Sequence, residues 1–167
     1  MPNDITGLDE VQAKLRQLSN KRKAKNAANR ASRKAMNIVK KAARDNAKRF
    51  DDKDSPEKIW KNIVTKAGKT KGYDNVTMKV GVRGGARKYA NTRANRRANR
   101  AGRSYQTQGS KKNPGGDTWY WRFKEFGSAT NNADPFLRPA LNNNINAVQA
   151  EFTRVYSAEL DKEIAKL

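Results

Sequence analysis

The sequence predicts an α+β fold: a small, mainly antiparallel β-sheet of about 3–4 strands, packed by a long N-terminal helix and a long C-terminal helix. Three observations carry this expectation. Ala24, Ala28, Ala31, Ala35, Ile38 and Ala42 recur at helical spacing, with Met36, Val39, Ala43 and Ala47 widening the stripe. Val76, Met78, Val80 and Val82 alternate with Thr77, Lys79, Gly81 and Arg83, the period of a strand with one face buried and one wet. Leu141, Ile145, Val148, Phe152, Val155, Tyr156, Leu160 and Ile164 then recur every few residues to the C-terminus. The length of 167 residues suits one domain, 1–167.

The elements follow in order. Thr6-Gly7-Leu8-Asp9 fits a capping box, a hydroxyl with a carboxylate three residues on, and opens a short amphipathic helix over 6–18. Ile5 belongs to a brief edge strand before it. The alanine stripe gives a helix over 21–49 whose opposite face is Lys and Arg: Lys21, Arg22, Lys23, Arg30, Arg33, Lys34, Lys40 and Lys41. Its apolar side is too small to insert into a membrane surface, which takes Leu, Trp or Phe. Ser55 and Pro56 suit the cap and first position of a single helical turn through Trp60. Strands are expected at 62–67 and 76–82, with a turn over 68–75.

Residues 84–116 are low in complexity, lack apolar periodicity and carry a weak Arg-Ala-Asn repeat. They read as an extended basic arm inserted between two strands. The second of those strands is 118–126, with Trp119, Trp121 and Phe123 on one face and Tyr120, Arg122 and Lys124 on the other. Gly127 ends it and 128–134 is a loop. Pro139 tolerates only the start of a helix, so the long C-terminal helix is expected to begin there, after a bent lead-in over 135–138.

Composition narrows the function. Leu, Ile, Val and Phe make up 26 of 167 residues and the net charge is +21, in the range where a chain stays unfolded unless neighbours lend it burial. An oligomer is therefore expected. Absence of Cys and His excludes disulfides, thiolate metal sites, Cys nucleophiles and imidazole acid–base chemistry. Gly68-Lys69-Thr70 resembles the end of a phosphate-binding loop, but that pattern needs glycine where Ile63 stands. The Gly81 to Gly85 run opens no helix, and Asp51, Asp52 and Asp54 are cut off by Pro56 from the distant Glu an EF-hand needs. No catalytic residue, metal or cofactor is expected. With no apolar run near the roughly 18 residues of a membrane span, and no secretory leader, the chain is expected to be made in the cytoplasm.

The charge sits in two blocks. Residues 14–49 hold fourteen Lys or Arg against Asp45 alone, and 83–116 hold ten with no acid. The arm residues Arg93, Arg96, Arg97, Arg100, Arg103, Lys111 and Lys112 are candidates for docking on a polyanion or an acidic protein face. An induced helix would gather most of the arginines on one side. Docking on protein is slightly preferred, since a tight grip on phosphate would oppose DNA sliding through a channel.

The stretch YWRFKEFGSATNNADPFLRPAL, from Tyr120 to Leu141, resembles the C-terminal signature of the head–tail joining, or tail-completion, family of long-tailed bacteriophages. That signature reads roughly aromatic-aromatic-x-x-apolar-E-F-G-[ST], a short variable loop, then P-x-L-R-P-A-[LF]. Tyr120, Phe123, Glu125, Phe126, Gly127, Ser128, Pro135, Phe136, Leu137, Arg138, Pro139, Ala140 and Leu141 match it. The N-terminal ITGLDEVQAKLRQL is similar to the family's opening, and an Ala/Lys/Arg-rich helix follows there too. Residues 84–116 depart from the family, which is usually much shorter at this point.

The resemblance implies a minor structural component of the virion, assembled in the host cytoplasm as a homo-oligomeric ring at the neck where the DNA-filled head meets the tail. Six-fold symmetry would match a tail, with twelve-fold the second option. Adjacent neck and tail proteins would be partners, with DNA in the lumen held through non-specific phosphate contacts. A tail-terminator ring capping the tail tube and a free, non-specific DNA-binding accessory protein are the alternatives. The aromatic strand would supply sheet core, Phe126, Phe136 and Leu137 would pin the C-terminal helix to the sheet, and Glu125 and Arg138 would pair across the corner.

Overall fold

A computed structural model describes residues 7–18, 20–50, 57–73, 75–83, 88–103, 114–116 and 118–167. The expectations for Ile5, Thr6, Asp51, Asp52, Asp54, Ser55, Pro56, Gly84, Gly85, Lys111 and Lys112 lie outside the described residues. The class is α+β, with long helices at both ends and a single two-stranded antiparallel sheet among the described residues, fewer strands than expected. The order is α1 (Leu8–Gln17), α2 (Lys21–Ala47), a 3-10 turn (Lys48–Phe50), α3 (Ile59–Asn62), β1 (Ile63–Ala67), β2 (Met78–Val82), α4 (Arg93–Arg97), α5 (Trp121–Phe126), α6 (Leu137–Asn142) and α7 (Ile145–Ile164).

The chain divides into two compact units. The first comprises Met1–Lys41, Thr65–Val80 and Ala140–Leu167. Gly7, with φ of 86°, is the N-cap of α1, so the helix starts a residue later than a Thr6 capping box would place it. Asn20 opens α2 by accepting the N–H groups of Arg22 and Lys23 at 3.0 and 3.1 Å, which satisfies two of the four donors a helix start leaves free. The core of this unit joins Val11 and Leu18 to Ala27 of α2 and Leu160 of α7, with Leu15, Ala24, Tyr156 and Ile164 packed against it. Alanine on α2 lets its partners approach closely, and Ala27, Ala28, Ala31, Ala35 and Val39 are all buried. Burial pushes the Tyr156 phenol above its ordinary pKa, because a phenolate would lose hydration there.

The C-terminal helix is two helices. Pro139 sits third in α6, within the first turn, where a backbone N–H has no intrahelical acceptor to lose. The break follows at Asn143 and Asn144. The Asn144 side chain donates to the Ala140 carbonyl at 2.9 Å, the kind of local bond by which Asn competes with a helix, and α7 restarts with Asn144 as its N-cap.

The second unit comprises Ala42–Val64 and Gly81–Pro139. Ala43, Ala47, Ile59, Ile63 and Phe136 form its buried apolar set, with the Phe50 ring edge-on to Phe136 at 5.7 Å. The helical turn expected near Trp60 is α3, with Lys58 as N-cap in place of Ser55. The strand expectations hold for β1 and, two residues shorter, for β2. Within the first unit the Gly68 N–H meets the Thr77 carbonyl at 2.8 Å, and within the second the Arg83 N–H meets the Asn62 carbonyl at 2.7 Å.

The expected strand 118–126 is absent. Thr118 to Tyr120 make turns and α5 follows, so the arm runs from β2 into a helix and not between two strands. Thr118 and Glu125 are buried and Trp121 half-buried, while Trp119, Phe123 and Phe126 are exposed. Both sets fall at helical spacing, so the aromatics line the outside of a short helix and supply no sheet core.

Candidate functional site

Two constellations in the second unit draw on the residues singled out above. The first is the corner between α5 and α6. Glu125 is buried, with 1% of its surface exposed, and its carboxylate faces the start of α6. Oε2 accepts the N–H groups of Phe136 and Leu137, each at 2.8 Å, and Oε1 accepts that of Arg138 at 3.1 Å. The next residue, Pro139, has no N–H. One side chain therefore satisfies the free donors at this helix start, and a negative charge there is favoured by the aligned peptide dipoles. Arg138 closes the figure, donating from Nε to Oε1 at 3.2 Å and from its terminal nitrogen to the Glu125 carbonyl at 2.7 Å.

Gly127 ends α5 with φ of 78°, its N–H on the Phe123 carbonyl at 2.9 Å. A Cβ there would come within 3.0 Å of the Ala133 nitrogen, so glycine is required by both conformation and space. The 128–134 loop is tied back by the Asp134 N–H to the Lys124 carbonyl at 2.8 Å, and Arg49 grips the Asp134 carboxylate and the Pro135 carbonyl. Phe136 is fully buried, Leu137 and Pro139 are partly buried, and Phe126 is 64% exposed. Phe126 thus does not pin the helix, as the sequence reading had it. It lies under the Arg138 guanidinium at 5.5 Å, and Tyr120 is half-buried beside Trp119.

The second constellation is the described part of the basic arm, 88–103, which is an ordered loop and not an extended arm. Its ends are joined by the Tyr89 N–H to the Arg103 carbonyl and the Gly102 N–H to the Tyr89 carbonyl, both at 3.0 Å. Thr92 caps α4 by accepting the Asn95 N–H at 3.2 Å. Asn95 is the hub. Its side chain donates to the Ala90 carbonyl at 2.7 Å and accepts from Arg100 Nε at 2.9 Å. The Arg100 guanidinium lies over the Tyr89 ring at 5.1 Å. Asn99 takes a left-handed conformation, φ 52°, where Asn is better tolerated than most residues. Arg93, Arg96, Arg97, Arg100 and Arg103 are all exposed.

Asn62, which sequence reading did not single out, fastens the far end of the arm. Fully buried, it donates to the Gly116 carbonyl and the Thr118 hydroxyl, both at 2.9 Å, and accepts the Gly115 N–H at 2.8 Å. A Cβ on Gly115 would lie 2.1 Å from the Lys58 carbonyl oxygen. Asn95 and Asn62 were missed for one reason: asparagine is frequent here, and nothing local separates a buried one from a solvated one. The Thr92-x-x-Asn95 spacing was the available hint.

In the first unit, the basic face of α2 keeps Lys21, Arg22, Arg33, Lys34 and Lys41 exposed and Lys23 and Lys40 half-buried. Arg30 differs. It donates to Glu159 and, at 2.9 Å, to Glu163 of α7, so it ties helices together. The Lys162 ammonium and then Arg30 hold the Glu159 carboxyl below its ordinary pKa.

Among the described residues no group of three or more Asp or Glu is placed to hold a metal ion, and no helix is long and apolar enough to cross a membrane. No protein-family model, curated protein or solved structure matches the chain.

Proposed function

We propose that the chain is a structural subunit of a long-tailed bacteriophage virion, forming a homo-oligomeric ring at the neck that joins the DNA-filled head to the tail. The observation that carries this reading is the Glu125 corner. The residues of the head–tail joining signature that occur here, from Glu125 through Gly127 to Phe136, Arg138 and Pro139, act on one another in a single capped turn.

Two further observations support assembly. The chain is poor in aliphatic residues, and Trp119, just before α5, stands exposed at helical spacing with Phe123 and Phe126 on it, with Arg138 over the Phe126 ring and Arg122 over that of Trp121. Trp, Phe and Arg grouped in this way are the composition of the energetic centre of a protein interface. The net charge of +21 favours a second reading, a free DNA-binding accessory protein.

Native mass spectrometry and electron microscopy of the purified protein separate the two, at high concentration and with neck partners present. A six-fold or twelve-fold ring is expected. A well-folded monomer that melts cooperatively under both conditions overturns the ring and leaves the accessory reading.

A further inference from the structure

The loop 88–103 carries Lys88 and five arginines and no carboxylate. Its order comes from Thr92 and Asn95 bonding to backbone, with no apolar centre. Arg100 is held twice, by Asn95 and by the Tyr89 ring. Arg93, Arg96, Arg97 and Arg103 meet no carboxylate among the described residues. Polar side chains thus shape the backbone while Arg93, Arg96, Arg97 and Arg103 stay exposed.

We propose that this loop is a preformed binding surface for the phosphate backbone of double-stranded nucleic acid. Four alternatives or objections bear on the choice of partner. A stable protein interface is centred on apolar or aromatic anchors, and the loop offers only alanine methyls and a Tyr89 ring already covered by Arg100. A single strand would want open aromatic faces on which bases stack, and none is free here. A base-reading contact needs an element that enters a groove, and α4 has only five residues. Phosphate binding needs none of these. It needs cations at several positions, preferably planar guanidinium forks. The objection that a phosphate grip would stop DNA from sliding does not hold either, because sequence-independent phosphate contacts permit sliding. The inference assigns residues to a DNA contact and does not depend on the neck reading.

The test is fluorescence anisotropy of the full chain with a labelled random-sequence duplex, titrated between about 50 and 200 mM salt. Each phosphate contact contributes about 0.9 to the slope of log affinity against log salt. Replacing Arg93, Arg96, Arg97, Arg100 and Arg103 together by Gln is expected to make that slope shallower by about four units. The affinity change across the range then shrinks roughly 250-fold. A matched variant of α2, with Lys21, Arg22, Lys23, Lys40 and Lys41 replaced by Gln, controls for net charge and is expected to lose less. The melting temperature of each variant reports the fold. Asn95→Ala keeps every charge and is expected to weaken binding about two- to tenfold at unchanged slope, the ordering cost of a long side chain. A wild-type slope in the five-Gln variant overturns the proposal, and wild-type affinity in Asn95→Ala overturns the claim that the surface is preformed. Poly-glutamate that competes as well as duplex of equal charge assigns the loop to an acidic protein and overturns the nucleic-acid assignment.

Discussion

The Glu125 carboxylate and the Arg138 guanidinium meet at 3.2 Å, and the same guanidinium returns to the Glu125 carbonyl at 2.7 Å. The two partners sit in different surroundings, since Glu125 is buried and the Arg138 side chain is 57% exposed. A carboxylate taken out of water is tolerable only when its oxygens are occupied, and here three backbone N–H groups and an arginine occupy them.

The two partners are therefore expected to differ in what their loss does. Glu125→Ala leaves several donors without an acceptor and should destabilise the protein by about 3 kcal/mol or more. Arg138→Ala removes an exposed partner and should cost about 1 kcal/mol or less. Arg138→Lys should not restore the wild type, because an ammonium cannot reach both oxygens in the plane of a fork. Urea denaturation reads all three, and a Glu125→Ala midpoint equal to wild type would show that the corner is not held this way.

The two phenylalanines of the motif should separate just as clearly. Phe136 is fully buried beneath the Phe50 ring, and its replacement by Ala should cost about 3–5 kcal/mol. Phe126→Ala, at an exposed position, should change stability by no more than about 0.5 kcal/mol. If copies of the chain meet through the exposed aromatics of 119–126, replacing Trp119, Phe123 and Phe126 by Gln should abolish the ring and leave the melting temperature nearly unchanged. A ring that survives the triple change moves the interface elsewhere.

These contrasts show how far the fold could be read from the residues. The α2 stripe was legible because alanine recurs over many turns, and β1 and β2 because β-branched residues mark them. The stretch 118–126 was misread because Trp119, Trp121 and Phe123 fit a period of two over a short window, whereas Trp119, Phe123 and Phe126 fit a helix equally well. What decides between them is Glu125, which must turn toward N–H groups eleven to thirteen residues away. That demand is non-local. The Glu125–Arg138 pair was named through resemblance, and its role as a helix cap came only with geometry. Asn62 was invisible because its three partners lie at and just past the far end of the arm, more than fifty residues away.

Asn62 offers its own prediction. Asn62→Leu keeps the size but strands the Gly115 N–H, the Gly116 carbonyl and the Thr118 hydroxyl, and each buried group left unsatisfied costs about 1–3 kcal/mol. Gly115→Ala should be as damaging, because its Cβ would strike the Lys58 carbonyl. Hydrogen exchange should then show faster exchange at the Lys58 and Gly115 amides, which are bonded across this junction. Unchanged protection at both amides would show that the arm is anchored without Asn62.

The last prediction concerns acid. Lys162 and Arg30 hold the Glu159 carboxyl below its ordinary value of 4.5. As pH falls past about 4.5 the unfolded chain takes up a proton that the folded chain refuses, so acidification favours unfolding. The stability from this group is complete above that value and is lost as pH falls through the lower, folded one. Glu159→Gln should therefore be less stable than wild type at pH 7, and the gap should narrow as the pH is lowered toward about 3. Glu10 and Glu151 are shifted the same way, so the variant should keep part of the acid sensitivity. Salt should narrow the gap at pH 7 only modestly, because Glu159 is largely shielded from solvent while Arg30 is 45% exposed. Thermal melts of the two proteins from about pH 3 to 7 give the comparison. Melting curves that stay parallel across that range would mean that Glu159 is equally protonated in both states, and the link from α2 through Arg30 to α7 would then contribute packing but no charge.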